Sequence, residues 1–144
     1  MEKEFISYEQ ALELKELGFD EECLFAYYGK SDLSNFKESD YELCGDRHNS
    51  SFKEDGRVSA PLYQQVFRWF REKYQLSSWI YTSYDEKFYY SILKDKRFMI
   101  SEFYTVTKIK IPNKIYNTYE ESELACLNKL IRIVKKYYDN GRTI

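Results

Sequence analysis

Proline and glycine are scarce in this chain: its 144 residues include two prolines and five glycines. Disordered and low-complexity chains are rich in these residues, so the composition excludes that class of protein. The glycines also lie too far apart in the sequence to form a phosphate-binding loop. No apolar run approaches the roughly 20 residues that a membrane-spanning helix needs, so we expect no membrane partner.

Histidine and cysteine are also few. The chain has one histidine, His48, and three cysteines, Cys23, Cys44 and Cys126, whose spacing matches no usual set of metal ligands. An odd number of cysteines fits a reducing cytoplasm better than a disulfide framework, and the charged N-terminal segment lacks the apolar core of a signal peptide. We therefore predict a cytoplasmic protein with no metal and no cofactor.

Cys44 and His48 form the one pair that suggests catalysis, with Asp46 between them. A cysteine and a histidine can act as nucleophile and base, or as two metal ligands. Either role needs a further partner, and the surrounding polar segment contains no strand-to-helix turn that would present a nucleophile. We interpret His48 as a solvated loop residue, and Cys23 and Cys126 as small buried hydrophobic residues.

Acidic and basic residues are distributed unevenly, although the formal net charge is only −2. Residues 1–58 contain 7 Lys+Arg and 15 Asp+Glu, a balance of −8, whereas residues 59–144 contain 15 and 9, a balance of +6. This pattern fits ordinary surface scatter, and it also fits a basic C-terminal part that attracts an anion. No basic stripe typical of duplex-binding proteins occurs, so duplex nucleic acid is not an expected partner.

The clearest predicted element is a helix over Thr118–Asn140. Thr118 and Glu121 have capping-box spacing, and the acidic first turn and basic last turn suit the helix dipole. Two neighbouring apolar stripes cover about half of the circumference. The first stripe is Leu124, Leu127, Ile131, Val134 and Tyr138, and the second is Cys126, Leu130, Ile133 and Tyr137. We expect the first stripe to enter the core, whereas the sequence supplies no obvious cover for the second.

A short helix is predicted over Tyr8–Leu17, because Ser7 and Gln10 have capping-box spacing and Gly18 follows as a helix stop. The residues expected to face inward are Ala11, Leu12 and Leu14. The apolar and aromatic segment Cys23–Tyr28 predicts a strand.

Residues 29–58 are polar and predict a long loop or insertion, in which Tyr41–Cys44 is a candidate edge strand. A second long helix is predicted from a Ser59 cap, with Pro61 in the first turn, to about Tyr74. Its two inward rows are Leu62, Val66 and Phe70, and Tyr63, Phe67 and Tyr74, and Trp69 lies outside both.

The segment from Ser77 to Glu102 predicts an antiparallel sheet. Trp79–Tyr84 and Phe88–Lys94 flank a hairpin turn, Arg97–Tyr104 follows as a third strand, and the alternation in Thr105–Ile111 extends the sheet. The predicted fold class is α+β: a single domain with an antiparallel β-meander of three to five strands and three helices packed mainly on one face.

Both faces of the predicted sheet are apolar or aromatic, although a half-solvated sheet normally alternates apolar and polar residues. One face is expected to pack on helices. For the other face three alternatives stay open: the long loop or the N-terminal helix covers it, a homo-oligomer buries it, or a ligand stacks a planar group on its rings while cations hold a phosphate. The candidate residues for the ligand alternative are Tyr81, Tyr89, Arg97, Tyr104, Lys108 and Lys110.

Three stretches, SYEQALELKELGFDEEC, APLYQQVFRWFREKYQLSSWIY and TYEESELACLNKLIRIVKK, together resemble a family of small uncharacterised proteins. Bacteroidota genomes and the phages or prophages of that group encode this family. The resemblance covers mainly the three predicted helices. It implies a short, cytoplasmic, phage-borne accessory protein, and it carries over no functional residues. Small phage proteins of this type often act by binding, and some inhibit host defence by occupying a host protein or by sequestering a nucleotide signal.

The leading hypothesis is therefore a non-enzymatic, homo-oligomeric binding protein of phage type. It would hold a host protein or a nucleotide-like anion on its aromatic sheet face and so counter host defence. The alternative is a structural or interaction module of a mobile element without a small-molecule ligand. An enzyme is the third option, and it requires Cys44 and His48, or a pair of carboxylates, to converge in a pocket.

Overall fold

The computed structural model describes residues 4–28, 41–52, 56–82, 84–96, 105–108 and 114–139. These residues form three helices and six strands: α1 (Tyr8–Glu16), β1 (Cys23–Tyr27), β2 (Tyr41–Arg47), β3 (Val58–Ser59), α2 (Tyr63–Tyr74), β4 (Leu76–Thr82), β5 (Phe88–Lys96), β6 (Thr105–Lys108) and α3 (Tyr119–Asp139). The predicted α+β class is confirmed. The strands form two antiparallel sheets, in the orders β2-β1-β3 and β4-β5-β6. None of these helices is long and apolar enough to cross a membrane.

The chain divides into two compact units, Met1–Val66 and Phe67–Ile144, with the boundary inside α2. Each unit contains one of the two sheets. In the first unit, α1 packs against β3 and the sheet is centred on β1. In the second unit, α3 packs against β5 and β4.

The start of α1 matches the prediction. The Ser7 hydroxyl accepts a hydrogen bond from the Gln10 amide at 3.3 Å, and the Gln10 side chain accepts one from the Ser7 amide at 3.1 Å. This reciprocal pair is a capping box, and it satisfies two amides that the first helical turn leaves without partners. Ala11 is buried as expected, but the prediction for Leu12 is wrong, because Leu12 is 37% exposed. Each residue advances about 100° around a helix, so Leu12 is turned away from the buried side on which Ala11 lies.

The end of α1 is a Schellman motif. The Phe19 amide donates to the Leu14 carbonyl at 2.9 Å, and the Gly18 amide donates to the Lys15 carbonyl at 3.0 Å. The motif needs a left-handed residue, and Gly18 supplies it with a φ of 82°. Phe19 and Leu14 are both buried, so the motif also joins the end of the helix to the core of the first unit.

The segment 29–58, predicted as a long loop, contains β2, a 3-10 helix at Asn49–Phe52 and β3; residues 29–40 and 53–55 lie outside the described part of the chain. The predicted edge strand at Tyr41–Cys44 is confirmed, and it continues to Arg47. The prediction of Ser59 as a helix cap is wrong. Ser59 lies in β3 opposite Ala26, and α2 begins only at Tyr63.

In α2, Val66 and Phe70 are fully buried as predicted. Two other predictions for this helix are wrong. Leu62 precedes the helix and is 38% exposed, whereas Trp69 is only 5% exposed. Trp69 is buried because its ring packs edge-on against Phe70 at 5.0 Å and Tyr74 at 5.1 Å, contacts that a helical periodicity alone does not predict.

In α3, both apolar stripes enter the core. The buried residues are Cys126, Leu127, Leu130, Ile131, Ile133 and Val134. The line of contact with the sheet therefore runs between the stripes, so the expectation that the second stripe lacks a cover is wrong. Leu124, predicted in the core, is 41% exposed and Tyr137 is 39% exposed, because both lie at the margins of this line. The side chain of Tyr138 lies outside the described part of the chain.

The second sheet contains the predicted hairpin. Seven consecutive residue pairs join β4 to β5, from Leu76–Lys94 to Thr82–Phe88. Only Gln75, with a φ of 56°, separates α2 from β4. The strand therefore begins at Leu76 and not, as predicted, at Trp79. The strand predicted at Arg97–Tyr104 lies outside the described residues, and β6 occupies the first part of the predicted Thr105–Ile111 extension.

Candidate functional site

The register of β4 and β5 decides which side chains share a face of the hairpin. Ser77 lies opposite Leu93, Trp79 opposite Ser91, and Tyr81 opposite Tyr89. Because side chains alternate along a strand, these six residues lie on one face, which we name the aromatic face. The alternate residues, among them Ser78, Ile80, Tyr90 and Ile92, lie on the inner face.

The inner face is the one that α3 covers. Ile92 is fully buried, Cys126 of α3 is hydrogen-bonded to Ser78, and the rings of Phe88 and Tyr119 meet edge-on at 6.2 Å. Burial raises the pKa of the Cys126 thiol to about 12, so this thiol is neutral at pH 7. These contacts serve the core of the second unit.

The aromatic face is exposed to solvent at its two β4 aromatic residues. Trp79 is 46% exposed and Tyr81 is 45% exposed. The rings of Tyr81 and Tyr89 are nearly parallel, with an angle of 14° between their planes and 5.6 Å between their centroids. All six residues of this face are uncharged. The face therefore presents three aromatic rings and no charge, and Tyr81 and Tyr89 stack across a regular strand pair.

Of the six predicted ligand-binding residues, the structure brings together Tyr81 and Tyr89. Lys108 is the last residue of β6 and its main chain pairs with Leu93. Arg97, Tyr104 and Lys110 lie outside the described residues. The structure thus describes Tyr81, Tyr89 and the main chain of Lys108, and the binding role of all six residues stays a prediction.

One cation near the sheet has a structural role. Lys94 is buried, and its ammonium donates a hydrogen bond at 2.6 Å to the carbonyl of Tyr74, the last residue of α2. A helix end leaves its last carbonyls without amide partners, and a lysine there also complements the helix dipole. Lys94 therefore belongs to the packing of the second unit.

The prediction left Trp79 out of the candidate site, although Trp79 is on the aromatic face beside Tyr81. The signal was available in the sequence: the two residues are separated by one position in a strand, so they share a face. Trp79 offers the largest ring on this face, and we include it with Tyr81 and Tyr89 in the candidate site.

Cys44 and His48 have partners of their own in the first unit. The Cys44 thiol donates to the carbonyls of Cys23 and Gly45, each at 3.3 Å. Nδ1 of His48 is 2.7 Å from the Asp20 carbonyl, and Nε2 is 3.4 Å from a carboxylate oxygen of Glu22. The Asp20 carbonyl, and then the charges of Asp20 and Glu22, raise the pKa of His48. Both ring nitrogens of His48 are thus directed at Asp20 and Glu22.

Burial raises the pKa of two further groups. Burial is the main cause that raises the pKa of the Cys23 thiol to about 12, so Cys23 is not a thiolate at neutral pH. Partial burial, and then the charge of Glu120, raise the pKa of Glu123 on α3. Within the described ranges, no group of three or more His, Cys, Asp or Glu side chains is placed to hold a metal ion.

Comparison of the chain with protein-family models, with curated proteins and with solved structures found no match in any of the three.

Proposed function

We propose that this protein is a non-enzymatic accessory binding protein of phage type, which counters host defence by occupying a host protein or a nucleotide-like signal. The observation that carries this proposal is the uncharged aromatic face, on which Trp79 and Tyr81 are each almost half exposed. The phage context comes from the sequence resemblance and is part of the proposal.

A protein partner is the version that the chemistry of this face favours. The centres of protein interfaces are depleted of charged residues and enriched in Tyr and Trp, and Trp and Tyr are the residue types that most often dominate binding energy. The aromatic face has this composition: two tyrosines, one tryptophan, two serines and one leucine.

The aromatic face is also preorganised. Tyr81 and Tyr89 stack on each other, the strands pair without a register shift from Leu76 to Thr82, and α3 supports the opposite side. Rings that are already ordered lose little conformational freedom on binding, so more of their contact energy contributes to affinity.

A nucleotide-like ligand is the second candidate, and the nearly parallel rings of Tyr81 and Tyr89 favour it. A base can stack on exposed aromatic rings, at about 1–3 kcal/mol per base. The phosphate would need cations, for which the sequence offers Arg97, Lys108 and Lys110.

Quantitative affinity capture tests the protein version. Immobilised wild-type chain is exposed to lysate of a Bacteroidota host, and enriched proteins are compared between wild type, Trp79→Ala and Tyr81→Ala. We expect a specific partner whose capture falls at least about tenfold in both variants, as for interface hot spots. Tyr84→Ala is the matched control, because Tyr84 is a fully exposed tyrosine of the hairpin turn. Equal capture by all four chains would refute the role of this face.

A thermal-shift screen against linear and cyclic nucleotides tests the second candidate. A nucleotide that binds the folded chain should raise Tm, and Trp79→Ala should abolish the rise. The released nucleotide should be chemically intact; an altered nucleotide would instead identify an enzyme. If no nucleotide shifts Tm at millimolar concentration, the nucleotide version is wrong.

A further inference from the structure

The hydrogen-bond pattern of β5 determines which way the main chain of β4 points. Phe88 exchanges both of its main-chain hydrogen bonds with Tyr116, at 3.0 and 3.1 Å, on the side of β5 away from β4. The pair Thr82–Phe88 is therefore a non-hydrogen-bonded pair of the β4–β5 ladder. Because the two kinds of pair alternate along an antiparallel ladder, Tyr81–Tyr89 and Trp79–Ser91 are hydrogen-bonded pairs.

It follows that Ser78, Ile80 and Thr82 direct their amides and carbonyls away from β5, to the outer edge of β4. β4 is the first strand of its sheet, and no main-chain hydrogen bond from the described residues reaches this edge. Thr82 is exposed, and Ser78 and Ile80 are half-buried. This edge presents alternating donors and acceptors, which is the pattern that an added strand pairs with.

β4 also lacks the features by which sheet edges usually resist pairing. Its sequence, LSSWIYT, contains no charged residue, no proline and no glycine. Its pairing with β5 has no bulge. Natural edge strands commonly use charges, proline or bulges to prevent association with another chain.

We propose that β4 of one chain pairs antiparallel with β4 of a second copy, with Ile80 opposite Ile80 on a two-fold axis. In this register, Ser78 and Thr82 of one copy form a hydrogen-bonded pair with the partner's Thr82 and Ser78. The pairing uses residues 78–82 and spares Leu76, which is fully buried at the start of the strand. The β4-β5-β6 sheets of the two copies then form one continuous sheet of six strands.

The partner of this edge is a second copy because the strand is complementary to itself. In the proposed register, Trp79 lies opposite the partner's Tyr81 at a non-hydrogen-bonded position, where side chains approach most closely. Aromatic pairs at such positions stabilise antiparallel strands. The two-fold axis repeats this pair, and no like charges meet across the axis.

This pairing goes beyond the proposed function, because the dimer forms whether or not the aromatic face binds a ligand. It has a consequence for that face. Each Tyr89–Tyr81 stack continues onto the partner's Trp79, so two copies form one continuous surface of six rings. A single copy contains half of this surface.

The first test removes the outward donor of Thr82. Thr82→Pro deletes an amide that is not used in the β4–β5 ladder, at an edge position where proline is tolerated. Thr82→Val is the matched control, because it changes the side chain and keeps the amide. We expect Thr82→Pro to raise the dimer Kd about tenfold or more in analytical ultracentrifugation, since two hydrogen bonds are lost per dimer. Equal values of Kd for the two variants would overturn the proposal.

The second test uses the two-fold axis. Ile80→Lys and Ile80→Glu each place like charges opposite one another, so each chain alone should be monomeric. An equimolar mixture should form a heterodimer, because opposite charges then face each other. Native mass spectrometry distinguishes the three species, and circular dichroism confirms that both variants are folded. Homodimers of either variant, or a wild-type chain that stays monomeric at about 1 mM, would overturn the proposal.

Discussion

The two sheets differ in their edge strands, β2 in the first sheet and β4 in the second. β2 pairs with β1 through a register shift between Cys23 and Phe25, and Gly45 in β2 has a φ of 63°. The β2 sequence, YELCGDR, also contains charged residues of both signs. β4 pairs regularly and has no charged residue. Bulges and charges discourage pairing with another chain, so the comparison identifies β4, and not β2, as the edge suited to association.

The two units also show different contacts around their sheets. In the second unit, α3 covers the inner face with six buried apolar side chains. In the first unit, side chains hold the main chain: Asn49 bonds to the Phe19 carbonyl and the Ser59 amide, and the Tyr27 hydroxyl bonds to the Ile6 carbonyl. Both units bury apolar side chains, and in the first unit these hydrogen bonds from side chains to the main chain add to that burial.

The largest expected effect is in the apolar core of the second unit. Leu127→Ala removes a fully buried side chain of α3 and should lower the free energy of unfolding by about 3–5 kcal/mol, because it leaves a cavity. Leu124→Ala makes the same chemical change on the same helix, where the side chain is 41% exposed, and should cost less than about 1.5 kcal/mol. Urea denaturation measures both, and similar losses would contradict the assigned orientation of α3.

The next effect tests the polar contacts of the first unit. Asn49→Ala leaves the buried Ser59 amide and the Phe19 carbonyl without this side chain, which bonds to them at 2.9 and 2.8 Å. We expect a loss of about 2–4 kcal/mol, because unsatisfied buried polar groups keep their desolvation cost. Ser50→Ala is the neighbouring control: Ser50 is exposed and its amide bond to Asp20 uses the main chain. Its cost should be below about 0.5 kcal/mol, and an equal loss in both variants would be evidence against this role of Asn49.

The sequence predicts those parts of the fold that depend on local patterns. The capping box at Ser7 and Gln10, the Gly18 stop and the β4–β5 hairpin all follow from residues close together in the chain. The errors arise where tertiary contacts decide. Ser59 and Pro61 have the composition of a helix start, but pairing with β1 places Ser59 in a strand. Leu124 fits an apolar stripe, but its burial depends on where α3 meets the sheet, which the periodicity does not determine.

For the candidate site, alternation along one strand predicts that Trp79 and Tyr81 share a face. It does not predict that Tyr89 joins them, because this depends on the register between β4 and β5, which the turn and the packing fix. Lys94 of the same hairpin is a further case: its ammonium bonds to the carbonyl at the end of α2. This role depends on a carbonyl twenty residues earlier in the chain, and no local pattern predicts such a contact.

A smaller effect is expected on the aromatic face. A double-mutant cycle with Tyr81→Ala, Tyr89→Ala and the double variant should give a coupling of about 0.2–1 kcal/mol, the usual range for cross-strand aromatic pairs. Urea denaturation at one fixed protein concentration measures it. A coupling as large as the Leu127→Ala loss would mean that the rings belong to the core, and would weaken the proposal that they serve binding.

The smallest effect concerns His48 in the first unit. Its Nδ1 donates to the Asp20 carbonyl and its Nε2 faces Glu22, and these groups raise its folded-state pKa above the usual value of about 6.5. A raised histidine pKa stabilises the folded state fully at pH values below the unfolded pKa. This contribution is lost as pH rises through the folded pKa. The stability advantage of wild type over His48→Gln should therefore be largest below the usual histidine pKa and should decline as pH rises through the raised folded-state pKa.

The stability difference between wild type and His48→Gln reports on His48, because the chain has a single histidine. Other titrating groups, such as Glu123, are present in both chains. Urea midpoints of the two chains at matched pH values give the advantage directly. Because the His48–Glu22 pair is exposed, added salt should reduce the advantage further. An advantage that stays constant or grows with pH would contradict the raised pKa. His48 would then hold the Asp20 segment by its neutral hydrogen bond alone.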